Sequence, residues 1–184
     1  MSSLDNEKSS IEYRILSREE IQKLVQIDRT ETIENIYHIR EGKLTLKKVH
    51  WDVEEWSVQE KQKRIAMLQD CYDDGDTLFG AFDGSTLVGM SVFEQHPLPS
   101  AVDRFNLAGL WVSQKYRTRG IGRTLVQLVI NKARESGAKT IYVSGTPSEN
   151  TVRFYMSMGF RLAVPLDPDM FKREPEDIHL ELLL

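Results

Sequence analysis

The sequence holds one cysteine in 184 residues, Cys71, which excludes an intramolecular disulfide and any cysteine-rich metal framework. Its 4 histidines show no metal-ligand spacing, so no metal is assigned. No run of about 18 apolar residues occurs, which removes a membrane-spanning helix. Met1 to Lys8 contain no apolar core, so no signal peptide is expected and a reducing cytoplasm is the expected location. Basic residues are outnumbered, 24 Lys+Arg against 28 Asp+Glu, for a net charge of −4. Such a chain does not grip nucleic acid or an anionic membrane with its whole surface, so any basic function is local. Repeats and low-complexity segments are also missing. With 40% hydrophobic and 28% charged residues, the chain can build one sizeable core.

Residues 1–10 are polar and expected to be disordered, leaving residues 11–184 as a single domain. Ile11 to Leu16 reads as a strand. Ser17-Arg18-Glu19-Glu20 has the pattern of a capping box, with Ile21, Leu24 and Val25 following at helical spacing. Two β-prone runs, residues 33–40 and 43–49, flank Glu41-Gly42 and read as a hairpin inside an inserted segment, residues 30–56. Ser57-Val58-Gln59-Glu60 is a second capping box, leading into a helix with Ile65, Leu68 and Tyr72 on one face. Strands are expected over 77–82 and 87–93, joined by Asp83-Gly84-Ser85-Thr86, and over 105–112. Ile121, Leu125, Leu128, Val129 and Ala133 mark a long amphipathic helix closed by Gly137. A strand over 140–144, a short helix over 150–158 and a final strand over 178–184 complete an α/β domain with a mixed sheet. The last strand is apolar enough to serve as a dimer edge, so monomer and homodimer both stand.

The segment richest in chemistry is Trp111-Val112-Ser113-Gln114-Lys115-Tyr116-Arg117-Thr118-Arg119-Gly120-Ile121-Gly122-Arg123-Thr124. A strand feeds a basic loop that opens directly into the longest helix. Unpaired amides and the positive dipole end suit an anion there. Gly120 and Gly122 let the backbone approach it closely. Lys115, Arg117, Arg119 and Arg123 add positive charge with no acid nearby in sequence. A P-loop is excluded because no Gly-Lys-Ser/Thr closes the loop. A dinucleotide fingerprint lacks its third glycine, where Leu125 stands.

One helix later comes the run Asn150…Phe154-Tyr155…Gly159-Phe160. Arg117-x-x-Gly120-x-Gly122 resembles the pyrophosphate loop of the GNAT superfamily of acyl-CoA-dependent N-acyltransferases, and the later run is similar to that superfamily's next motif. The resemblance covers about residues 105–160. It implies a mixed, mostly antiparallel sheet of six to seven strands flanked by about four helices. It also implies acetyl-CoA as cosubstrate and an amine as acceptor. By position, Leu110, Trp111 and Val112 would hydrogen-bond the pantetheine and acetyl carbonyl through their backbone at a bulge. Amides of Arg117, Thr118, Arg119, Gly120, Ile121 and Gly122 would cradle the pyrophosphate, with Arg123 and Thr124 beside it. Asn150 and Phe154 would line the pantetheine arm, and Tyr155 would protonate the departing thiolate. Its other reading is a core tyrosine. A tyrosine near pKa 10 donating to a thiolate near 8.5 works uphill by about 2 kcal/mol. An amine of pKa about 10.4 is neutral only about one part in a thousand near pH 7.4, a cost of about 4 kcal/mol, so something must take its proton.

Many members carry a glutamate for that task on the strand before the loop. Here the position is Asn106, which is no base. Glu34, Glu94, His179 and a water relay stand as alternatives, while His96, before Pro97, reads as a loop residue. Residues 30–56 hold Tyr37, His38, His50, Trp51 and Trp56, an aromatic supply suited to covering an acceptor site or simply a sheet edge. Asp52, Glu54 and Glu55 suit either a cationic acceptor or a solvated face. Two functions follow: an N-acetyltransferase acting by direct attack on a small-molecule or peptide amine, and an acyl-CoA-binding module without turnover. A nicotinamide-dependent enzyme is the third reading.

Overall fold

A computed structural model describes residues 10–184, and the expectation for the polar start largely falls on residues 1–9, outside the described residues. The chain runs β1 (Glu12–Ile15), a 3-10 helix (Glu19–Gln26), β2 (Glu31–Arg40), β3 (Lys43–Val53), α1 (Val58–Asp73), β4 (Thr77–Asp83), β5 (Thr86–Phe93) and β6 (Arg104–Val112). A short 3-10 turn (Gln114–Tyr116) leads into α2 (Ile121–Glu135), followed by β7 (Thr140–Gly145), α3 (Glu149–Met156), β8 (Arg161–Leu162), α4 (Pro168–Arg173) and β9 (Ile178–Leu183). Seven strands form one sheet in the order β1-β4-β5-β6-β7-β9-β8, while β2 and β3 pair only with each other. Every neighbouring pair in the large sheet is antiparallel except β6–β7. This is the mixed, mostly antiparallel sheet that the resemblance implied. No helix among the described residues is long and apolar enough to cross a membrane.

Local chemistry explains most elements. Ser57 and Glu60 make the reciprocal capping box at the start of α1. Glu41 and Gly42 both take positive φ, 52° and 74°, the twist that joins β2 to β3 without splaying them. At residues 17–20 the capping box is not completed. Glu20 accepts from the Ser17 amide at 3.1 Å, but the Ser17 hydroxyl donates to Glu19 instead of capping. The helix there is 3-10, so burial repeats every three residues: Ile21, Leu24 and Ile27 are buried while Val25 is exposed. The final strand is also placed differently from expectation. It lies between β7 and the two-residue β8, which pairs with it only at Leu180 and Glu181.

The α2 helix holds the loop before it against the sheet. Ile121, Leu125, Val126, Val129 and Ala133 are buried in a cluster with Phe79, Val88 and Phe93. Leu125 replaces a third glycine for a packing reason: its Cδ1 lies 3.2 Å from where a Cβ on Gly89 would sit. Leu125→Ala should therefore cost about 2–5 kcal/mol. At about 2–4 °C per kcal/mol for a chain of this size, thermal unfolding monitored by circular dichroism should show the drop. An unchanged Tm would mean that α2 is anchored elsewhere.

Candidate functional site

Strands β6 and β7 touch for three residue pairs only, Arg104–Thr140, Phe105–Ile141 and Asn106–Tyr142. Beyond Asn106, β6 stays with β5 through Val112, while β7 stays with β9 through Gly145. Parting parallel neighbours leave a fork whose backbone edges must bond something other than each other. A bulge shapes one wall. Val92 faces Gly109 and Phe93 faces Leu107, so Ala108 is extra. The extra residue reverses the alternation. Phe105 and Leu107 pack on the α2 side, as do Leu110 and Val112 after the bulge, whereas Trp111 turns to the opposite side. Thus Leu110, Trp111 and Val112 form the β6 wall of the fork.

The wall ends in the loop that starts α2. Thr118 and Gly120 adopt φ of 62° and 85° and turn the chain sharply into the helix. Gly120 is the N-cap, and no side chain caps the helix. Ile121, Gly122 and Arg123 therefore present first-turn amides that have no carbonyl one turn back. A Cβ on Gly122 would meet Phe154 at 3.4 Å and Val112 at 3.7 Å, so the loop, the fork wall and α3 converge at this glycine. Arg119 lies over the Tyr116 ring at 5.0 Å, and Arg123 donates to Ser157 Oγ at 2.9 Å. Thr124 Oγ1 donates back to the Gly120 carbonyl at 3.3 Å. The residues present fit a diphosphate: uncapped amides, close backbone approach and flanking cations.

Arg117 is held differently from the sequence reading. Its guanidinium donates to the carbonyls of Val112 and Arg29, each at 3.1 Å, and pairs with Glu31 at 3.2 Å. The acid missing from the neighbouring sequence is thus supplied by β2. Glu31 also accepts from Asn150 Nδ2 at 3.0 Å, so one carboxylate joins the loop before α2 to the start of α3. Next along β2, Ile36 bridges Ser148, and the Tyr37 amide donates to the Pro147 carbonyl at 2.7 Å. The β2–β3 hairpin therefore crosses from the end of β6 to the start of α3. No local signal in the sequence marks Glu31 for this role.

The chain as a whole is similar to known proteins. Residues 36–160 match the model of the Acetyltransferase (GNAT) family. The chain belongs to the GNAT acetyltransferase family. A mycothiol acetyltransferase of Corynebacterium glutamicum (strain R) is 35% identical over 104 residues, 54% of this chain. The chain spans 34% of that relative's length. The uncharacterized N-acetyltransferase YvbK of Bacillus subtilis (strain 168) is 32% identical over 113 residues, 60% of this chain and 70% of that protein. In fold, the chain is similar to a nourseothricin acetyltransferase at TM-score 0.71 and 18% identity, covering 94% of this chain and 98% of the other. A putative streptothricin acetyltransferase of Bacillus anthracis str. Ames, solved with acetyl coenzyme A, also gives TM-score 0.71, at 17% identity over 95% and 99% of the two chains.

Within this GNAT domain the sequence-derived residues fall into two groups. Leu110 to Val112, Gly120 to Thr124, Phe154 and Tyr155 gather about the fork and the first turn of α2. Tyr155 is 4% exposed, its ring 5.1 Å from Phe154 and 5.2 Å from Phe160, and a Cβ on Gly145 would sit 3.5 Å from it. Burial alone pushes its phenol well above the ordinary tyrosine range. Of the proposed bases, only Glu94 reaches the fork. Glu34 is exposed on the hairpin, 3.0 Å from His50 Nδ1. His179 is buried with both nitrogens engaged, one by the Tyr142 hydroxyl at 2.8 Å and one by the Glu174 carbonyl at 2.9 Å. Glu94 lies beside Asn106 at the vertex of the fork, its amide donating to the Asn106 carbonyl at 3.1 Å.

Proposed function

We propose that this chain transfers an acetyl group from acetyl-CoA to a primary amine by direct attack, without a covalent enzyme intermediate. The observation that carries the reading is the fork between β6 and β7, closed at one end by the uncapped start of α2. Acetyl-CoA, when bound, supplies a thioester activated toward amines. First-turn amides of α2 with Arg119 and Arg123 hold the diphosphate, and the Leu110–Val112 edge orients the pantetheine and the acetyl carbonyl. Asn150 and Phe154 flank the arm, and Tyr155 offers its hydroxyl to the sulfur. The fold-level similarity to a protein solved with acetyl coenzyme A supports the choice of cosubstrate.

The acceptor is read from the hairpin. A cleft of about 310 Å³ is lined by Trp51, Trp56, Asp52, Glu54, Glu55, Glu60 and Arg29, with Lys61 paired to Glu55 at 3.7 Å. Trp56 touches Trp111 of the fork wall at 6.0 Å, edge to face. The Trp56 ring is already covered by Arg29 and Arg64, so it is the carboxylates and the exposed Trp51 that favour a cationic amine.

A second reading, an acyl-CoA-binding module without turnover, is kept by Asn106 at the usual acid position. A thiol-release assay against polyamines, aminoglycosides, amino acids and peptides separates the two. Turnover with one class is expected; acetyl-CoA binding without thiol release across the panel would favour the module. Nicotinamide binding in place of CoA binding would overturn both. Because the anion site is partly exposed, acetyl-CoA affinity should weaken steadily as salt is raised, measured by calorimetry. Salt-independent affinity would argue against a diphosphate held by this loop.

A further inference from the structure

Asn106 is 2% exposed and its Oδ1 is buried without a hydrogen-bond partner. Buried polar atoms are almost always satisfied, so an orphan at the vertex of a ligand fork points to a group that arrives with the ligand. The neighbouring Phe105 and Leu107 pack toward α2, so the Asn106 side chain faces the other side of the sheet, as Trp111 does. Glu94 is its cross-strand neighbour on that side, and its carboxylate accepts from the Asn106 amide.

We propose that Glu94, oriented by Asn106, takes the proton from the acceptor amine. This rests on the acyl-transfer reading above and names the base of that same site. The acid expected at position 106 has in effect moved one strand across, to the end of β5. An ammonium entering the fork donates one N–H to Asn106 Oδ1, and a second proton passes to the Glu94 carboxylate, directly or through one water. The freed lone pair forms the C–N bond to the acetyl carbon as the C–S bond breaks. The nitrogen then gives up its second proton as the amide forms. The thiolate collects a proton from Tyr155, which that second proton restores, or from solvent, and Glu94 returns its own to solvent. The balance is one ammonium plus one thioester giving amide, thiol and one proton, with nothing oxidised or reduced.

The surroundings of Glu94 suit a base. Burial raises its proton affinity most, and Asp76, before β4, and Glu174, after α4, add to that. The Asn106 amide and Arg173 oppose it. Asp76 in turn faces Cys71 and His96. A carboxylate raised in this way holds an abstracted proton better than an exposed one does.

The test is the pH profile of kcat/KM for Glu94→Gln, with an acceptor taken from the thiol-release panel. At neutral pH the loss should be about a hundredfold. It should shrink about tenfold per pH unit toward the amine's own pKa, because only free amine then reacts. Acetyl-CoA affinity should be unchanged, which also reports a folded site. Glu94→Asp should keep the wild-type shape of the profile at reduced height, and adding Asn106→Asp to Glu94→Gln should restore neutral activity. A loss equal at all pH values, or a neutral plateau kept by Glu94→Gln, overturns the assignment. So does the same pH-dependent loss from Asp177→Asn, the carboxylate beside Ser144 on the far wall. Wild-type protein that releases thiol with no amine overturns the acyl-transfer reading and this inference together, whereas failure of Glu94 alone leaves wild-type turnover intact.

Discussion

Gly120→Trp is expected to abolish acetyl-CoA binding, more than a hundredfold in Kd, while the fold survives. A Cβ at this position meets nothing within 4 Å, so the side chain starts into open space. The φ of 85° makes any side chain strained by about 1–2 kcal/mol, a few degrees in Tm at most. What the ring does occupy is the space above the first-turn amides of α2, where the diphosphate would lie. Arg117→Glu should give a comparable loss for two reasons. It removes a cation from the loop and sets a second carboxylate against Glu31, which now lies 3.2 Å from the guanidinium. The loop then loses its ties to Val112 and Arg29 as well. Calorimetric titration of each variant measures the effect. Acetyl-CoA bound at wild-type affinity by both would sink the phosphate-loop assignment.

Tyr155→Phe should lower kcat about tenfold to a hundredfold and leave acetyl-CoA affinity nearly unchanged. Only a hydroxyl is lost, and the ring keeps its contacts with Phe154 and Phe160. General-acid roles contribute about 10²–10⁴. Burial moves the phenol upward, away from the thiol, so full proton transfer is more uphill than for an exposed tyrosine. The effect therefore belongs at the low end, with the hydroxyl donating a hydrogen bond to the developing thiolate. The sign of the pH effect follows: the neutral phenol persists beyond the ordinary tyrosine range, so any alkaline loss due to Tyr155 lies above about pH 10. Steady-state kinetics with a CoA-binding control decide it. An intact kcat assigns Tyr155 to packing, and a collapse of affinity along with kcat assigns it to cofactor binding.

Elements set by neighbouring residues were legible along the chain. The Ser57–Glu60 box, the hairpin at Glu41-Gly42, the β4–β5 turn and the apolar stripe of α2 each depend on residues within about two turns of one another, where sequence spacing is spatial spacing. The basic loop at residues 115–124 was legible for the same reason, since its glycines, cations and helix start are contiguous. Where local pattern competed with packing, packing prevailed. The helix after Ser17 tightened to 3-10 so that Ile21, Leu24 and Ile27 could share one buried face, and α4 and β8 carried too little periodicity to be read at all.

Composition and local pattern by themselves determined an α/β domain, a basic glycine-containing loop before a long helix, and the residues standing near it. The tertiary structure alone decided the rest: that β6 leaves β7 after Asn106, that Glu31 reaches Arg117 and Asn150 from the hairpin, and that Glu94 meets the orphaned Asn106. Each of those joins strands or helices far apart in the chain. Their partners are chosen by how the sheet closes and which faces it buries, which no spacing within one segment encodes.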